Sequence, residues 1–402
     1  MANAKWAFLN KRLLLIALSH TITDLSQGAL PILLPFFKNA FALSYTQVGL
    51  IVLTQNITSS VIQPLFGIIT DRLSLPWLTP VSLVLAGLGT AATGLATSYP
   101  VLLMIVVVTG LGVAAFHPQA AKNAHAVSAI EARGQSMAVY SIGGNLGQAC
   151  GSIFMSALIA LPGTLANTLY FCLPALVLAV MLWRNLPGTA PQPRAGRPAN
   201  KAADAKGPIP IMVIGILLTY ILLRTSINTG LINYIPLYYA DFLGGSPVYA
   251  GYLVSGYMLS GVAGTYVGCI LGDKFGRKTV IMGSMLLSFP LLSLLKATTG
   301  LWTLALVSAI GFIYIASFSS TIVLAQEMMP GHEALAASLT TGFSIGLSGF
   351  SVTLLGFFAD RFGVPSVFNV IAMIPIAAFA IAWFLPGRLF KPDIIVKPQP
   401  QN

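Results

Sequence analysis

Predominantly apolar runs of about 20 residues, bounded by charges, proline or glycine, recur along the whole chain. They predict twelve spans, at 13–37, 45–70, 76–97, 99–121, 134–159, 165–186, 209–239, 247–272, 279–296, 300–326, 334–359 and 365–386. Each is long enough to cross a hydrocarbon layer as a helix. Between the third and fourth, only Thr97-Ser98-Tyr99-Pro100 marks the turn. One internal stretch breaks the pattern. Residues 187–208 (PGTAPQPRAGRPANKAADAKGP) are rich in proline, alanine, glycine and basic residues and carry no apolar periodicity, as a linker does. The chain therefore divides into a six-helix bundle at 1–186, a cytoplasmic linker at 187–208, a second six-helix bundle at 209–386 and a cytoplasmic tail at 387–402.

Basic residues orient this arrangement, because Lys and Arg near span ends stay on the cytoplasmic side. With both termini inside, 17 of the 21 Lys and Arg fall there; Lys38, Lys296 and Arg361 are left outside and Arg224 lies within a span. The expected location is a bacterial cytoplasmic (inner) membrane, crossed many times.

Composition agrees. Hydrophobic residues make up 56% of the chain and charged ones 8%, and the mean hydropathy is +0.84, beyond what polar surface could cover in a water-soluble fold. The net charge of +11 is scattered over short loops without a basic face, so topology explains it better than a nucleic-acid partner. The Lys5–Arg12 start resembles a signal peptide, but the apolar run after it is too long and lacks a small-residue cleavage site; it is expected to be an uncleaved first span. Cys150, Cys172 and Cys269 all fall inside spans, which argues against a disulfide framework. No nucleotide-binding glycine loop follows a strand, and His20, His117, His125 and His332 show no metal-site spacing. Neither a catalytic residue, a metal nor a cofactor is expected.

Two charges stand out because they sit near the middle of spans: Asp24 in the first and Arg224 in the seventh. A charge at bilayer depth is costly, and one that is kept there usually faces a cavity and handles an ion or a substrate. His20, Asp24 and Gln27 share one helical face, continued by Pro31; Tyr220, Arg224 and Asn228 share another. A carboxylate in a partly dry cavity can take up and release protons, and His20 one turn away can relay or tune them. Arg224 stays ionised and suits a carboxylate or phosphonate through paired hydrogen bonds. The alternatives are structural: a buried Asp24 bonded for packing, or a permanent Asp24–Arg224 ion pair. The expectation favoured here is a switchable pair, in which protonation of Asp24 and anion binding at Arg224 compete. In the second span Asn56, Ser60 and Gln63 share a face beside Gln55 and Ser59, either wetting a pathway or bonding between helices. His117, before Pro118, and Glu327, near the end of the tenth span, are expected to be gate or loop-anchoring positions. Tyrosines 234, 238, 239, 249, 252 and 257 crowd the outer end of the seventh span and the eighth, mostly as an interfacial belt.

The halves repeat. Gly67-Ile-Ile-Thr-Asp71-Arg72 recurs as Gly268-Cys-Ile-Leu-Gly272-Asp273-Lys274-Phe-Gly276-Arg277-Lys278, with the aspartates offset by 202, and Gly143 and Gly147 recur at Gly342 and Gly346, offset by 199. Duplicated transporters place their site at the repeat interface. An offset near 200 carries Asp24 onto Arg224.

The turn at 268–278 resembles the cytoplasmic loop motif of the major facilitator superfamily, whose acidic and basic residues latch neighbouring helices; the copy at 67–72 lacks the Gly-Arg-Lys end. The resemblance implies a conformational latch at Asp71, Arg72, Asp273, Arg277 and Lys278. Gly134, Gly143, Gly147 and Gly151 are similar to the glycine motif of that superfamily's drug:proton antiporters, with Gln148 at their proline and Ser152 at their final glycine. Close helix packing is the plainer account of those glycines. Leu18-Ser-His20-Thr-Ile-Thr-Asp24, Phe116-His117-Pro118, the 272–278 turn and Ala325-Gln326-Glu327-Met-Met-Pro330-Gly331 together resemble the fosmidomycin-resistance group.

The resemblance implies an all-helical membrane protein of twelve transmembrane helices in two pseudo-symmetric halves. It also implies a monomer that exports small compounds, anions such as phosphonates among them, against protons by alternating access. Proton-coupled import of an organic anion, a membrane receptor that transports nothing and an intramembrane enzyme using Asp24 and His20 are the other readings.

Overall fold

A computed structural model describes residues 10–73, 75–129, 132–186, 211–329, 336 and 339–386. The linker at 187–208 and the tail at 387–402 lie outside the described residues. Among those described, twelve helices are long and apolar enough to cross a membrane, and no strand occurs. They are α1 (Lys11–Ala40), α2 (Tyr45–Arg72), α3 (Leu78–Leu95), α4 (Tyr99–Ala126), α5 (Arg133–Ala160), α6 (Leu165–Asn185), α7 (Met212–Asp241), α8 (Pro247–Phe275), α9 (Arg277–Ala297), α10 (Leu301–Met328), α11 (Ser344–Phe362) and α12 (Pro365–Trp383).

Local chemistry sets several of the ends. Asn10 caps α1 by accepting from the Leu13 amide, and Ser44 and Gln47 form a reciprocal capping box at α2. Gly276, at φ +92°, ends α8 and lets the chain reverse into α9 in a backbone region that side chains with a Cβ rarely enter. Two helices depart from the simple spans expected. A π-helical turn, Ile57–Val61, interrupts α2, and another, Leu339–Phe343, leads into α11 within the run expected at 334–359.

Packing follows the sequence repeat. Helix α1 packs on α5 as α7 packs on α11, α3 on α6 as α9 on α12, and α2 on α4 as α8 on α10. The first six helices meet the last six through α2 with α11, α5 with α8, and α1 with α7. These contacts surround a central space and place α1 and α7 across it.

Helices α1 and α5 come so close because α5 has no side chain where they cross. A Cβ on Gly143, Gly147 or Gly151 would collide with backbone atoms of Ala17, Thr21, and Leu25 and Gly28, respectively. Ser152, at the motif's final glycine position, instead bonds across the crossing to the Gly28 carbonyl at 2.7 Å. Gly134 has open space around it and takes no part. The proposed counterparts do not repeat the role: Gly342 also faces open space, and Gly346 meets Val61 of α2. Leucine at Gly147 is expected to cost at least the ~1–3 kcal/mol of an overpacked core and to lower the melting temperature in detergent markedly, whereas leucine at Gly134 leaves it unchanged.

Candidate functional site

A cavity of about 290 Å³ lies between the first and last six helices. Of the expected site residues it is lined by Gln27 (α1), Gln55 and Asn56 (α2), and Arg224 and Asn228 (α7). It adds Asn145 and Gln148 from α5, Thr229 and Asn233 from α7, and Phe318 from α10. Asn145 and Gln148 stand three residues apart, the sequence signal for a shared helical face, but the glycines around them dominate the pattern of that span and mask it. Phe318 lies two residues past the break in α10 at Ala316.

Two expected lining residues are elsewhere. Gln63 does not reach the cavity, because the π turn at 57–61 adds a residue to the helical repeat and rotates the rest of α2 away from the Asn56 face. Tyr220 is fully buried beside Ser284, Ser317 and Thr321, one turn below Arg224.

Asp24 and Arg224 are not paired in this conformation, unlike the permanent ion pair that was the structural alternative. One Asp24 oxygen lies 3.3 Å from His20 Nε2 and the other 3.1 Å from His117 Nε2. His117, expected at a gate, is thus a direct partner of the carboxylate. Both rings are oriented from behind: His20 Nδ1 is 2.8 Å from the Tyr140 carbonyl and His117 Nδ1 2.8 Å from the Val113 carbonyl. A carbonyl only accepts, so both Nδ1 atoms carry hydrogen and each Nε2 is left facing an oxygen of Asp24. Each of those contacts is a hydrogen bond only when a proton sits on the nitrogen or the oxygen. Two empty contacts would set two lone pairs against a carboxylate, so the cluster is built to hold one or two protons.

The ligating atoms of His20, Asp24 and His117 all lie within 4.8 Å of one another. The imidazoles address different oxygens of the carboxylate. His20 also stacks on Tyr140 at 4.1 Å between ring centroids. Gly144, which the glycine pattern did not single out, makes room for the cluster: a Cβ there would stand 2.5 Å from the His20 ring and 2.7 Å from Asp24.

Gln27 connects cluster and cavity, donating to Asp24 at 3.3 Å while lining the cavity itself. Across the cavity Arg224 is only 5% exposed. Its Nε has no hydrogen-bond partner, it makes no ion pair among the described residues, and its guanidinium lies 5.1 Å from the Phe318 ring centroid. The Tyr314 hydroxyl donates to its backbone carbonyl and steadies α7 at this point.

Opposite the linker side, the two sets of helices are tied together. Asp360 of α11 accepts from the Tyr45 and Thr46 amides at 2.6 and 2.9 Å and from the Thr46 hydroxyl at 2.6 Å, supplying a carboxylate to the N-terminus of α2. Asp241 accepts from Tyr45 at 3.0 Å and pairs with Lys38 at 3.1 Å. Deeper, Asn56 donates to the Ile345 carbonyl at 3.2 Å. Among the described residues, no hydrogen bond or ion pair joins the two sets on the linker side.

The loop motif is asymmetric, as its two copies implied. Arg277 pairs with Asp273 at 2.6 Å and approaches Glu327 at 3.9 Å, so Glu327 joins this cluster; Lys278 donates to the Trp383 carbonyl at 2.6 Å. In the first copy Asp71 and Arg72 form no ion pair among the described residues, and Lys122 reaches the Thr70 carbonyl at 2.5 Å instead.

Comparison with known proteins decides the family. The profile described as Major Facilitator Superfamily matches residues 16–338 and again 216–399. The chain belongs to the Major Facilitator Superfamily. It is 30% identical over 380 residues to the fosmidomycin resistance protein of Escherichia coli (strain K12), covering 94% of this chain and 93% of that one. It is likewise 30% identical over 384 residues to the uncharacterized MFS-type transporter YfnC of Bacillus subtilis (strain 168), covering 93% and 92%. Among solved structures, a bacterial homologue of the human lysosomal transporter Spinster, inward-facing and occupied, superposes with a TM-score of 0.78 at 16% identity, over 92% of this chain and 95% of that one. The nucleoside transporter NupG does so at 0.73 and 14%, over 94% and 100%. As a member of the Major Facilitator Superfamily the chain is a multi-pass membrane transporter and not an enzyme.

Proposed function

We propose that this transporter exports small anionic compounds in exchange for protons, by alternating access, as a monomer in the bacterial inner membrane with both termini in the cytoplasm. The observation that carries the proposal is the division of labour around one cavity: an unpaired, buried Arg224 on one wall and, behind Gln27 on the other, the His20–Asp24–His117 cluster. Arg224 attracts an anion; the cluster takes and gives protons. The distribution of Lys and Arg supports a cytoplasmic linker side. The ties at Asp241 and Asp360 then close the outer face, and the described conformation is the inward-facing one, ready to load from the cytoplasm. The latch is assigned to Asp273, Arg277, Lys278 and Glu327, with Asp71 and Arg72 contributing in another conformation. The name of the Escherichia coli relative supports a phosphonate as one cargo.

The test is uptake of fosmidomycin into inside-out vesicles with an acid interior. Uphill accumulation that collapses with an uncoupler supports proton-driven export. Accumulation only in right-side-out vesicles with an inward proton gradient favours the importer, and saturable binding without flux the receptor.

Alternating access also requires the outer ties to break. Asp360→Asn removes the carboxylate from three donor contacts and is expected to favour opening of that face by ~1–3 kcal/mol, about fivefold or more in population. A single cysteine at Val52, which is buried and lines the cavity, in a background lacking the three native cysteines, should then react correspondingly faster with an impermeant maleimide added outside. Unchanged labelling would show that Asp360 does not hold the face shut.

A further inference from the structure

The amide side chains lining the cavity are not interchangeable, because most of them are tethered at one end, and the tether fixes which end is offered to a ligand. Gln27 spends its NH₂ group on Asp24 at 3.3 Å. Asn56 spends its NH₂ on the Ile345 carbonyl at 3.2 Å and the Ser348 hydroxyl at 3.4 Å. Asn233 spends its own on the Thr229 carbonyl at 2.8 Å. Carbonyls only accept, so the orientations of Asn56 and Asn233 follow from the bonds themselves. All three present a free carbonyl oxygen; Asn56 has both N–H groups engaged, while Gln27 and Asn233 each keep one N–H beside it. Asn228 is tethered the other way: its oxygen accepts from the Tyr257 hydroxyl at 2.9 Å, leaving its NH₂ as a donor beside Arg224.

The cavity is thus polarised. Around Arg224 and Asn228 it offers donors and a positive charge, and Arg224 Nε is buried with no partner of its own. Away from that pole Gln27 and Asn56 across the cavity and Asn233 further along α7 hold acceptors toward it, while Gln55, Asn145 and Gln148, untethered among the described residues, can turn either end to a ligand. No Asp or Glu lines it, and the nearest carboxylate, Asp24, is turned toward two imidazoles. An acceptor wall without a carboxylate suits neutral donors such as hydroxyls, and gives an ammonium group nothing to balance its charge.

We infer that the ligand is a hydroxylated anion, a carboxylate, phosphate ester or phosphonate whose charge sits at Arg224 while its hydroxyl groups donate to Gln27, Asn56 and Asn233. This rests on the reading of the cavity as the transport site. It adds a requirement that the anion alone does not satisfy. A ligand of equal charge but without hydroxyls leaves these buried oxygens unsatisfied, and sites of this kind discriminate strongly against such analogues.

The test is equilibrium binding to the full-length protein in lipid nanodiscs, using matched pairs of equal charge: threonate and butyrate, glycerol phosphate and propyl phosphate, fosmidomycin and its N-deoxy analogue. The hydroxylated member should bind about tenfold or more tightly in the pairs that bind at all. Asn56→Leu should shrink that ratio, and Arg224→Gln should weaken both members together. Asn233→Leu serves the same purpose should the Asn56 variant prove unstable. Equal or reversed affinities within every pair, still dependent on Arg224, overturn the inference and leave the cavity reading standing. Binding that ignores Arg224, or no binding by any of the six compounds, overturns the cavity reading and this inference with it.

Discussion

Asparagine in place of Asp24 will abolish gradient-driven accumulation while leaving substrate exchange in the absence of a gradient. The substitution preserves shape, and its amide can still donate to one imidazole Nε2, although its oxygen then faces the other Nε2, which carries no hydrogen in a neutral ring. It cannot carry the proton. Because Tyr140 and Val113 carbonyls fix hydrogen on both Nδ1 atoms, a proton that the cluster exchanges under the proposed coupling would sit on one of the two Nε2–Asp24 contacts, at 3.3 and 3.1 Å. Removing the carboxylate removes the acceptor common to both, and the cluster loses the charge that would retain an imidazolium in a buried setting. The checks are fosmidomycin accumulation and proton flux in the same vesicles. Full uphill transport by the asparagine variant, still dissipating protons, would sink the coupling role. Gly144→Ala approaches the same cluster without removing a titratable group, since its methyl would stand 2.5 Å from the His20 ring and 2.7 Å from Asp24. It should weaken coupling and leave Arg224-dependent binding in place.

Much of the fold could be read from the sequence, since a span has to be long and apolar whatever it packs against. The intramembrane charges were legible for a related reason: a charge costs so much at that depth that its position alone marks it. What each charge touches was not legible. The 200-residue offset between Asp24 and Arg224 suggested a pair, but symmetry-related positions lie on opposite walls of the cavity and need not meet. His117 reaches Asp24 from α4, a contact set by helix rotation and not by any spacing along the chain. Gln63 shared a face with Asn56 only for an uninterrupted α-helix, and the π turn between them removed that condition. Glu327 met Arg277 for the same kind of reason as His117: two helix ends brought together by packing.

Arg224→Gln is expected to have the largest effect on the anion itself. A guanidinium buried to 5% exposure, with an unpartnered Nε and no carboxylate paired to it among the described residues, has its charge balanced by the ligand or not at all. Two charge-assisted hydrogen bonds at ~1.5–3 kcal/mol each correspond to a loss of about a hundredfold or more in affinity on neutralisation. Lysine retains the charge but not the planar fork or the packing against Phe318 at 5.1 Å, so Arg224→Lys should fall between the two. A double-substitution cycle then separates the present geometry from the rejected ion pair. Were Asp24 and Arg224 a neutralising pair, each single variant would strand a buried charge, and the Asp24→Asn, Arg224→Gln double variant would recover stability lost by either. With Asp24 held by two histidines and Arg224 free, the two losses in thermal stability should add. Recovery beyond additivity, measured by melting of the detergent-purified proteins, would mean that the two charges do meet in the conformation populated there, and Arg224 would no longer be the free cation on which anion binding depends.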